Sequence, residues 1–530
     1  MGDFGMRYVT LLGLLLSCFG CGATSVTDAP DGVNAVKPAD LPVRPNIIWI
    51  YTDDHAQQAI SAYGSKVNRT PNIDRLAAEG AIFTQSFVCN SICGPARAAV
   101  LTGLHSHANG FMSNGNDFDG SQRTFPKLLQ EAGYRTAVIG KWHLKSEPQG
   151  FDHWEVLPGQ GHYYNPDFRT PNGKVRVPGY VTDIITDKAI DWLETSAAGD
   201  APFMLMVQHK APHRAWMPGP NHLNHRDGET IPEPPTLFDD YSNRTTAARL
   251  QEMTISDHLW LAYDLKMWTP EEIAKKGWPY NATVGRLDPE QRRAWDAAYA
   301  AELEDYLTTR REGRDLVRWK YQRYLHDYLR CIATVDDGMG EILDYLDDAG
   351  LAENTMVLYS SDQGFYLGEH GWYDKRWMYE ESLRTPLVCR WPGRVAPGTR
   401  VDALVQNIDM APTFLEIAGA DPADGFHGES VVPLLEGQNP EWRSSIYYHY
   451  YQGAQSTHKV HRHRGVRTDR YKLIHYYTID EWELFDLEKD PLEMKSVHTD
   501  PEYAAVRSRL EEELARLEGQ FDVPPLAADR

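Results

Sequence analysis

Hydrophobic residues along the chain gather into short unbroken runs that end in charge. Pro45-Asn46-Ile47-Ile48-Trp49-Ile50-Tyr51 is the first, and it stops at Thr52-Asp53-Asp54. A segment apolar at nearly every position has no solvent face, which is how a strand buried in a mainly parallel sheet reads. Comparable runs occupy 136–139, 203–208 and 356–360, and residues 72–79, 124–132 and 183–197 between them read as helices. Strand and helix in alternation predict an open α/β sheet with helices on both faces. Such sheets bind ligands beyond the carboxyl ends of their strands. The polar residues placed there are Asp53-Asp54, Lys141-Trp142-His143, Gln208-His209 and Asp362-Gln363.

Residues 220–325 lose this regularity and carry many charges. Long helices are predicted over 288–310 and 316–348. The second carries Val335-Asp336-Asp337 and should pack on the sheet through Leu325, Leu329, Ile332, Ile342 and Leu346. There is no internal repeat. From about residue 440 the texture turns to Tyr-rich strands, with 464–477 and 482–487 as candidates, and a closing helix over 501–517. The expected organisation is a main domain over 45–439 and a smaller α+β subdomain over 440–530. Residues 24–44, rich in Pro, Asp and Ala without periodicity, read as a linker.

Composition narrows the function classes. A chain of 530 residues can bury a large core, and 42% hydrophobic with 24% charged residues is ordinary for a soluble globular protein. The formal net charge of -22 argues against nucleic acid as partner, which calls for a basic surface. It leaves open what a local pocket binds. Near the start, Arg7 precedes the apolar run Val9 to Leu16, which is too short to span a bilayer and reads as an export signal over 1–23. Leu15-Leu16-Ser17-Cys18 resembles a bacterial lipobox, which would put a lipid anchor on Cys18. Cleavage near Gly22 or Ala23, giving free secretion, is the alternative. Either way the expected location is outside the cytoplasm: periplasmic, outer-membrane-anchored or secreted. Cys89, Cys93, Cys331 and Cys389 are too few for a disulfide framework in so long a chain.

Two features carry chemistry. Asp53-Asp54 and Ser360-Ser361-Asp362-Gln363-Gly364 each follow an apolar strand, and adjacent carboxylates leave water at high cost unless a cation pairs them. Oxygen ligands from two strand ends suit a hard cation such as Ca²⁺, and no His/Cys cluster has zinc spacing. A lone cysteine is most often a small buried hydrophobe. Cys93, however, sits in Cys93-Gly94-Pro95-Ala96-Arg97, followed by Ala98-Ala99-Val100-Leu101-Thr102-Gly103, which reads as a loop entering a helix. A group at a helix N-terminus faces oriented N–H groups that favour an anion.

The Cys-x-Pro-x-Arg frame running into Leu-Thr-Gly resembles the maturation signature of the type I sulfatases, with Ala96 where the family usually has Ser. Gly140-Lys141-Trp142-His143-Leu144 resembles the family's Gly-Lys-Trp-His motif. His209-Lys210-Ala211-Pro212-His213 resembles its His-x-Pro-His loop, with one residue more. Gly368-Glu369-His370-Gly371, Lys375 and Tyr379-Glu380 resemble the segment that supplies a sulfate-binding lysine. The likeness runs from about Asn46 to Pro386, with a looser match in Glu483 to Leu487 and Asp490-Pro491-x-Glu493.

That resemblance implies an alkaline-phosphatase-like α/β fold, with a large mixed sheet flanked by helices and a smaller C-terminal α+β subdomain, and it implies hydrolysis of sulfate esters. By resemblance, a maturation enzyme oxidises Cys93 to Cα-formylglycine. One hydroxyl of the hydrated aldehyde attacks sulfur and the other then expels sulfate. One Ca²⁺ would be held by Asp53, Asp54, Asp362, Gln363 and the modified Cys93, Gln363 standing where the family has Asn. Arg97 and Lys141 would hold the diol oxygens, His143 would take the proton that triggers expulsion, and His213 and Lys375 would face the sulfate and the leaving oxygen.

The stretch from Ser146 to Gly161, with Tyr164-Asn165-Pro166, is similar to bacterial N-acetylglucosamine-6-sulfatase-like enzymes. A sulfated glycan is therefore the expected substrate: a glycosaminoglycan, mucin or algal polysaccharide, with GlcNAc-6-sulfate favoured. His458-Lys459-Val460-His461-Arg462-His463-Arg464 is a basic island in an acidic chain, and Arg462, His463 and Arg464 are candidate contacts to glycan carboxylates or sulfates. Two other readings stand beside this one: a phosphate or phosphonate ester hydrolase of the same superfamily, and a non-catalytic glycan-binding protein that keeps the fold.

Overall fold

In the strand Asn46–Thr52 every residue is buried. Its side chains alternate between two cores: Ile48 and Ile50 enter one, while Ile47, Trp49 and Tyr51 enter the other. The two-residue period of a strand is what divides an all-apolar run between two layers of helices. The computed structural model describes residues 44–196, 199–420 and 425–526. The expected export signal, the lipobox and nearly all of the linker lie outside the described residues.

Asn46–Thr52 pairs in parallel with Phe203–Gln208 on one side and Thr355–Ser361 on the other. Arg135–Lys141 and His153–Leu157 continue the parallel array. All four strands expected from their apolar runs are thus neighbours at the centre of one sheet. Antiparallel pairings enter on both sides of this array, and Thr399–Val401, parallel to Ala81–Phe83, forms one outer edge. Leu387–Arg390 and Ala81–Phe83 lie on one side, and the hairpin Asp167–Thr170/Gly173–Arg176 lies on the other. The result is a mixed sheet of 10 strands.

Helices Pro71–Ala78, Val181–Ser196 and Gly313–Asp348 cover one face. Cys93–Thr102, Phe125–Glu131 and Met410–Ile417 cover the other. The long helix of 36 residues buries Leu325, Leu329, Ile332, Ile342 and Leu346 as expected. Its Asp336 accepts from the backbone N–H groups of Asn72 (3.1 Å) and Ile73 (2.9 Å), capping Pro71–Ala78, whose own Thr70 makes no side-chain cap.

Beyond residue 440, Ser445–Tyr450, His463–Thr468, Tyr471–Tyr476 and Glu481–Asp486 form an antiparallel sheet in that order. The run expected as one strand over 464–477 is a hairpin. Helix Ala504–Gln520 packs Leu510, Leu514 and Leu517 on one face, against Tyr447, Val466, Leu473 and Leu484. The other face packs Tyr448, Tyr450, Ile474 and Tyr476 against Phe87, Trp372, Trp377 and Tyr379 of the larger part.

Candidate active site

The sheet delivers its polar strand ends to one place. Cys93 opens the fully buried helix Cys93–Thr102. The N–H of Gly94 is taken by Asn114 Oδ1 at 3.0 Å, and the Cys93 thiol lies 3.6 Å from Gln363 Nε2. One turn along, Arg97 donates to Asp362 Oδ2 (3.0 Å), to the Lys141 carbonyl (2.8 Å) and to Gln208 Oε1. Arg97 therefore ties the helix to three strand ends at once. Gly140 is required where it stands: its φ is +112°, and a Cβ there would lie 1.9 Å from the Gln208 carbonyl oxygen.

Asp53, Asp54 and Asp362 are all fully buried and bring carboxylate oxygens within 4.8 Å of one another. Asp53 takes an ion pair from Lys141, whose ammonium also reaches Gln160 Oε1 at 2.5 Å. Asp54 takes Lys375 at 2.6 and 2.7 Å and the Gln363 amide. Burial pushes Asp53 up, but Lys141, His213 and Arg97 outweigh it and hold the group well below the usual carboxylate range. Burial lifts Asp54 to about 6 against the pull of Lys375. Burial and the charge of Asp53 lift Asp362 to about 8 despite Arg97.

Lys141, Lys375 and Arg97 each pair one of these carboxylates, and Asp54 and Asp362 are still raised, so a further positive charge among them would be stabilised as it displaced their protons. Asp53 Oδ1 and Gln363 Oε1 are buried oxygens with no hydrogen-bond partner. Three carboxylates and an amide oxygen form the donor set a hard cation takes, so the residues present fit a metal ion. A second overlapping set joins Asp53, Cys93 and His213.

Two imidazoles and a lysine complete the rim. Burial, with Lys141 nearby, pushes His143 and His213 well below the ordinary histidine value, so both are neutral. His143 Nδ1 is buried without a partner. The other imidazole, His213, donates from Nδ1 to the Arg214 carbonyl at 2.6 Å, which leaves Nε2 as the free acceptor, 3.9 Å from Asp54 Oδ2. Burial brings the Lys210 ammonium down to about 7. Lys210 lines the same small cavity as His213 and Gln160.

Comparison with known proteins identifies the family. A family model described as "Sulfatase" matches residues 45–420, and one described as "N-sulphoglucosamine sulphohydrolase, C-terminal" matches 368–520. The chain belongs to the sulfatase family. It is 48% identical over 486 residues to an N-acetylglucosamine-6-O-sulfatase of Bacteroides thetaiotaomicron, covering 90% of this chain and 87% of that one. The human N-acetylglucosamine-6-sulfatase is 26% identical over 436 residues, 77% of this chain and 67% of its own.

A solved structure of an enzyme in complex with its substrate D-glucosamine-2-N,6-O-disulfate superposes with a TM-score of 0.88 at 47% identity, covering 90% of this chain and 98% of that one. A phosphonate monoester hydrolase of Agrobacterium radiobacter shares the fold alone, at a TM-score of 0.65, 22% identity and coverage of 90% and 96%. This sulfatase is accordingly a sulfuric ester hydrolase.

In the sulfatase, the C-terminal basic residues do not form the exposed island their sequence suggests. His463 is fully buried, its ring 5.6 Å from Tyr448 and 5.2 Å from Tyr476, and burial lowers it to about 4. Arg464 pairs with Glu518 on the closing helix. Alternation along the strand His463–Thr468 sends these neighbours to opposite faces of the small sheet, which a count of charges along the sequence does not register. Arg462 lines a cavity of about 460 Å³ with Tyr451, Tyr477 and Met112.

The small sheet reaches the site through other residues. His458 Nε2 lies 2.9 Å from Asp374, and Gln452 accepts from Arg376 at 3.4 Å, so both neighbours of Lys375 are held from the C-terminal part. Gln208 was visible as the polar end of an apolar strand. Asn114 carries no sequence signal, being an ordinary loop amide until the fold sets it against Gly94, and Gln160 stands out only as part of the Ser146–Gly161 stretch, with nothing in it pointing to Lys141.

Proposed function

We propose that this sulfatase removes the 6-O-sulfate from N-acetylglucosamine residues of a sulfated glycan outside the cytoplasm, using a formylglycine made from Cys93 and one Ca²⁺. The observation that carries the reading is the Cys93 thiol at the head of a buried helix, against three buried carboxylates. The preference for the sugar rests on the 48% identity to an N-acetylglucosamine-6-O-sulfatase. The export signal read over 1–23 supplies the location.

Asp53, Asp54, Asp362 and Gln363 would hold Ca²⁺, which supplies a Lewis acid and a template for the sulfate oxygens. A hydrated formylglycine supplies two hydroxyls on one carbon, one to attack sulfur and one to eliminate sulfate. The remaining work belongs to side chains already in place. Arg97, fixed by three acceptors, sets positive charge one helical turn from residue 93. Lys141 and Lys375, each locked on a carboxylate, add charge in a site that excludes water, where it acts strongly on a developing anion. His143 enters neutral with Nδ1 unpartnered, ready to accept a proton. The other imidazole, His213, keeps Nε2 for the leaving oxygen, and an anionic sulfate beside it raises its proton affinity.

The test is a matched pair of measurements on protein coexpressed with a maturation enzyme. Mass spectrometry of the peptide carrying Cys93 should show the mass change of aldehyde formation. GlcNAc-6-sulfate should be desulfated in preference to galactose-6-sulfate, and Cys93→Ser should lose turnover. An unmodified Cys93 in fully active protein would overturn the nucleophile. Equal rates on the two sugars would overturn the sugar.

A further inference from the structure

The irregular insertion between Phe203–Gln208 and Thr355–Ser361 turns two tryptophans to solvent. Trp260 is 53% exposed and Trp278 is 61% exposed. Adjacent exposed indoles mark a surface that something covers. These two are set on each other: their ring centroids lie 6.2 Å apart at 79°, and Trp278 stacks on Tyr263 at 4.9 Å and 27°.

The row continues inward. Arg214, anchored on Asp264 at 2.5 and 2.7 Å, places its guanidinium 5.4 Å from the Tyr263 ring. Tyr263, Arg214 and His213 line one cavity of about 90 Å³. Helix Trp278–Thr283 carries Trp278 at its first position and Thr283 in the wall of that same cavity. Tyr263 and Arg214 therefore link the exposed Trp278 and Trp260 to the cavity that His213 lines.

We propose that this surface is a glycan subsite, on which sugars next to the sulfated residue stack over Trp278 and Trp260, with Tyr263 and Arg214 backing Trp278 from beneath. A pyranose presents a face of C–H groups, whose slight positive charge meets the negative face of an aromatic ring. Stacking of this kind needs no net charge, which matters in a chain of net charge -22 that repels polyanions at long range. The inference rests on the sulfated-glycan reading and adds to it that the substrate is an oligosaccharide or polymer, gripped beyond the sulfated sugar by aromatic faces.

The experiment compares steady-state kinetics on GlcNAc-6-sulfate with those on an oligosaccharide ending in the same residue, for wild type, Trp278→Ala, Trp260→Ala and Trp278→Phe. The expected result is a roughly tenfold rise in KM for the oligosaccharide relative to the monosaccharide in the alanine variants, with kcat little changed and most of the loss restored by phenylalanine. An unaltered ratio of the two KM values, or an equal effect on both substrates, overturns the subsite and leaves the surface to a partner of another kind. Wild type that desulfates neither substrate refutes the parent reading instead. Calorimetric titration of Cys93→Ala protein with oligosaccharide, with and without Trp278→Ala, needs no turnover and still decides the subsite: weaker binding without the indole supports it, and equal binding overturns it.

Discussion

Three carboxylates packed this closely behave as one titrating unit in which the cation competes with protons. With Asp54 at about 6 and Asp362 at about 8, the metal-free site carries protons at neutral pH that must leave before a cation can bind. Below both values proton competition is strongest, and above about 8 little remains to displace. Calcium affinity should therefore rise from pH 5 to pH 8 and level off above it, as read by calorimetry. A profile flat across that range would contradict the proton competition. Arg97 belongs to the same unit. Removing it strips Asp362 of its guanidinium and leaves Gln208 Oε1 and the Lys141 carbonyl without a donor. Above about pH 8, where Asp362 is ionised, a buried pair broken on one side costs about 3–5 kcal/mol, so metal-free Arg97→Ala should melt many degrees below wild type there and Ca²⁺ should recover part of the loss. An unchanged melting temperature would show that Arg97 is not what compensates Asp362.

At the level of elements, what the sequence makes legible follows from where the chemistry sits. Strands buried on both faces are written as unbroken apolar runs, so their ends, and the residues just past them, are marked by an abrupt change to charge. Asp53, Lys141, Gln208 and Asp362 are found that way. The small sheet is different, because its strands mix buried aromatics with charges that pair across the surface; Ser445–Tyr450 carries no such run, and the segment expected as one strand over 464–477 is a hairpin. Two predictions belong here. Gly140→Ala must force the parallel neighbours Arg135–Lys141 and Phe203–Gln208 apart, since the new Cβ meets backbone rather than a movable side chain. Loss of activity and a lowered unfolding midpoint are expected together, and a fully active variant would show that the two strand ends need not stay in register. Asp336→Ala removes the cap that the long helix lends to Pro71–Ala78. Unpaired buried N–H groups cost about 1–3 kcal/mol, visible as a shifted denaturant midpoint with the slope unchanged.

Across the whole molecule, the site's rim is completed by chain that follows the last strand of the main sheet. The sequence texture changes near residue 440, which invites the view that the C-terminal part is an appendage. The packing argues otherwise. Tyr448, Tyr450, Ile474 and Tyr476 close a core whose other half is Phe87, Trp372, Trp377 and Tyr379. Glu380, half-buried beside Arg384, is neutralised by Arg467 and Lys472 from the small sheet, and Arg467 and Lys472 outweigh desolvation to hold it well below the carboxylate range. Asp374 and Arg376, on either side of Lys375, are held by His458 and Gln452. Deleting residues 440–530 would expose an aromatic surface, strand a half-buried carboxylate and release the loop that positions Lys375. A chain ending at residue 439 should therefore aggregate or fail to accumulate, and supplying 440–530 as a separate chain should be needed to recover any turnover. A soluble 1–439 protein with the melting temperature of the full chain would show that the small sheet is only a neighbour of the site and not part of what shapes it.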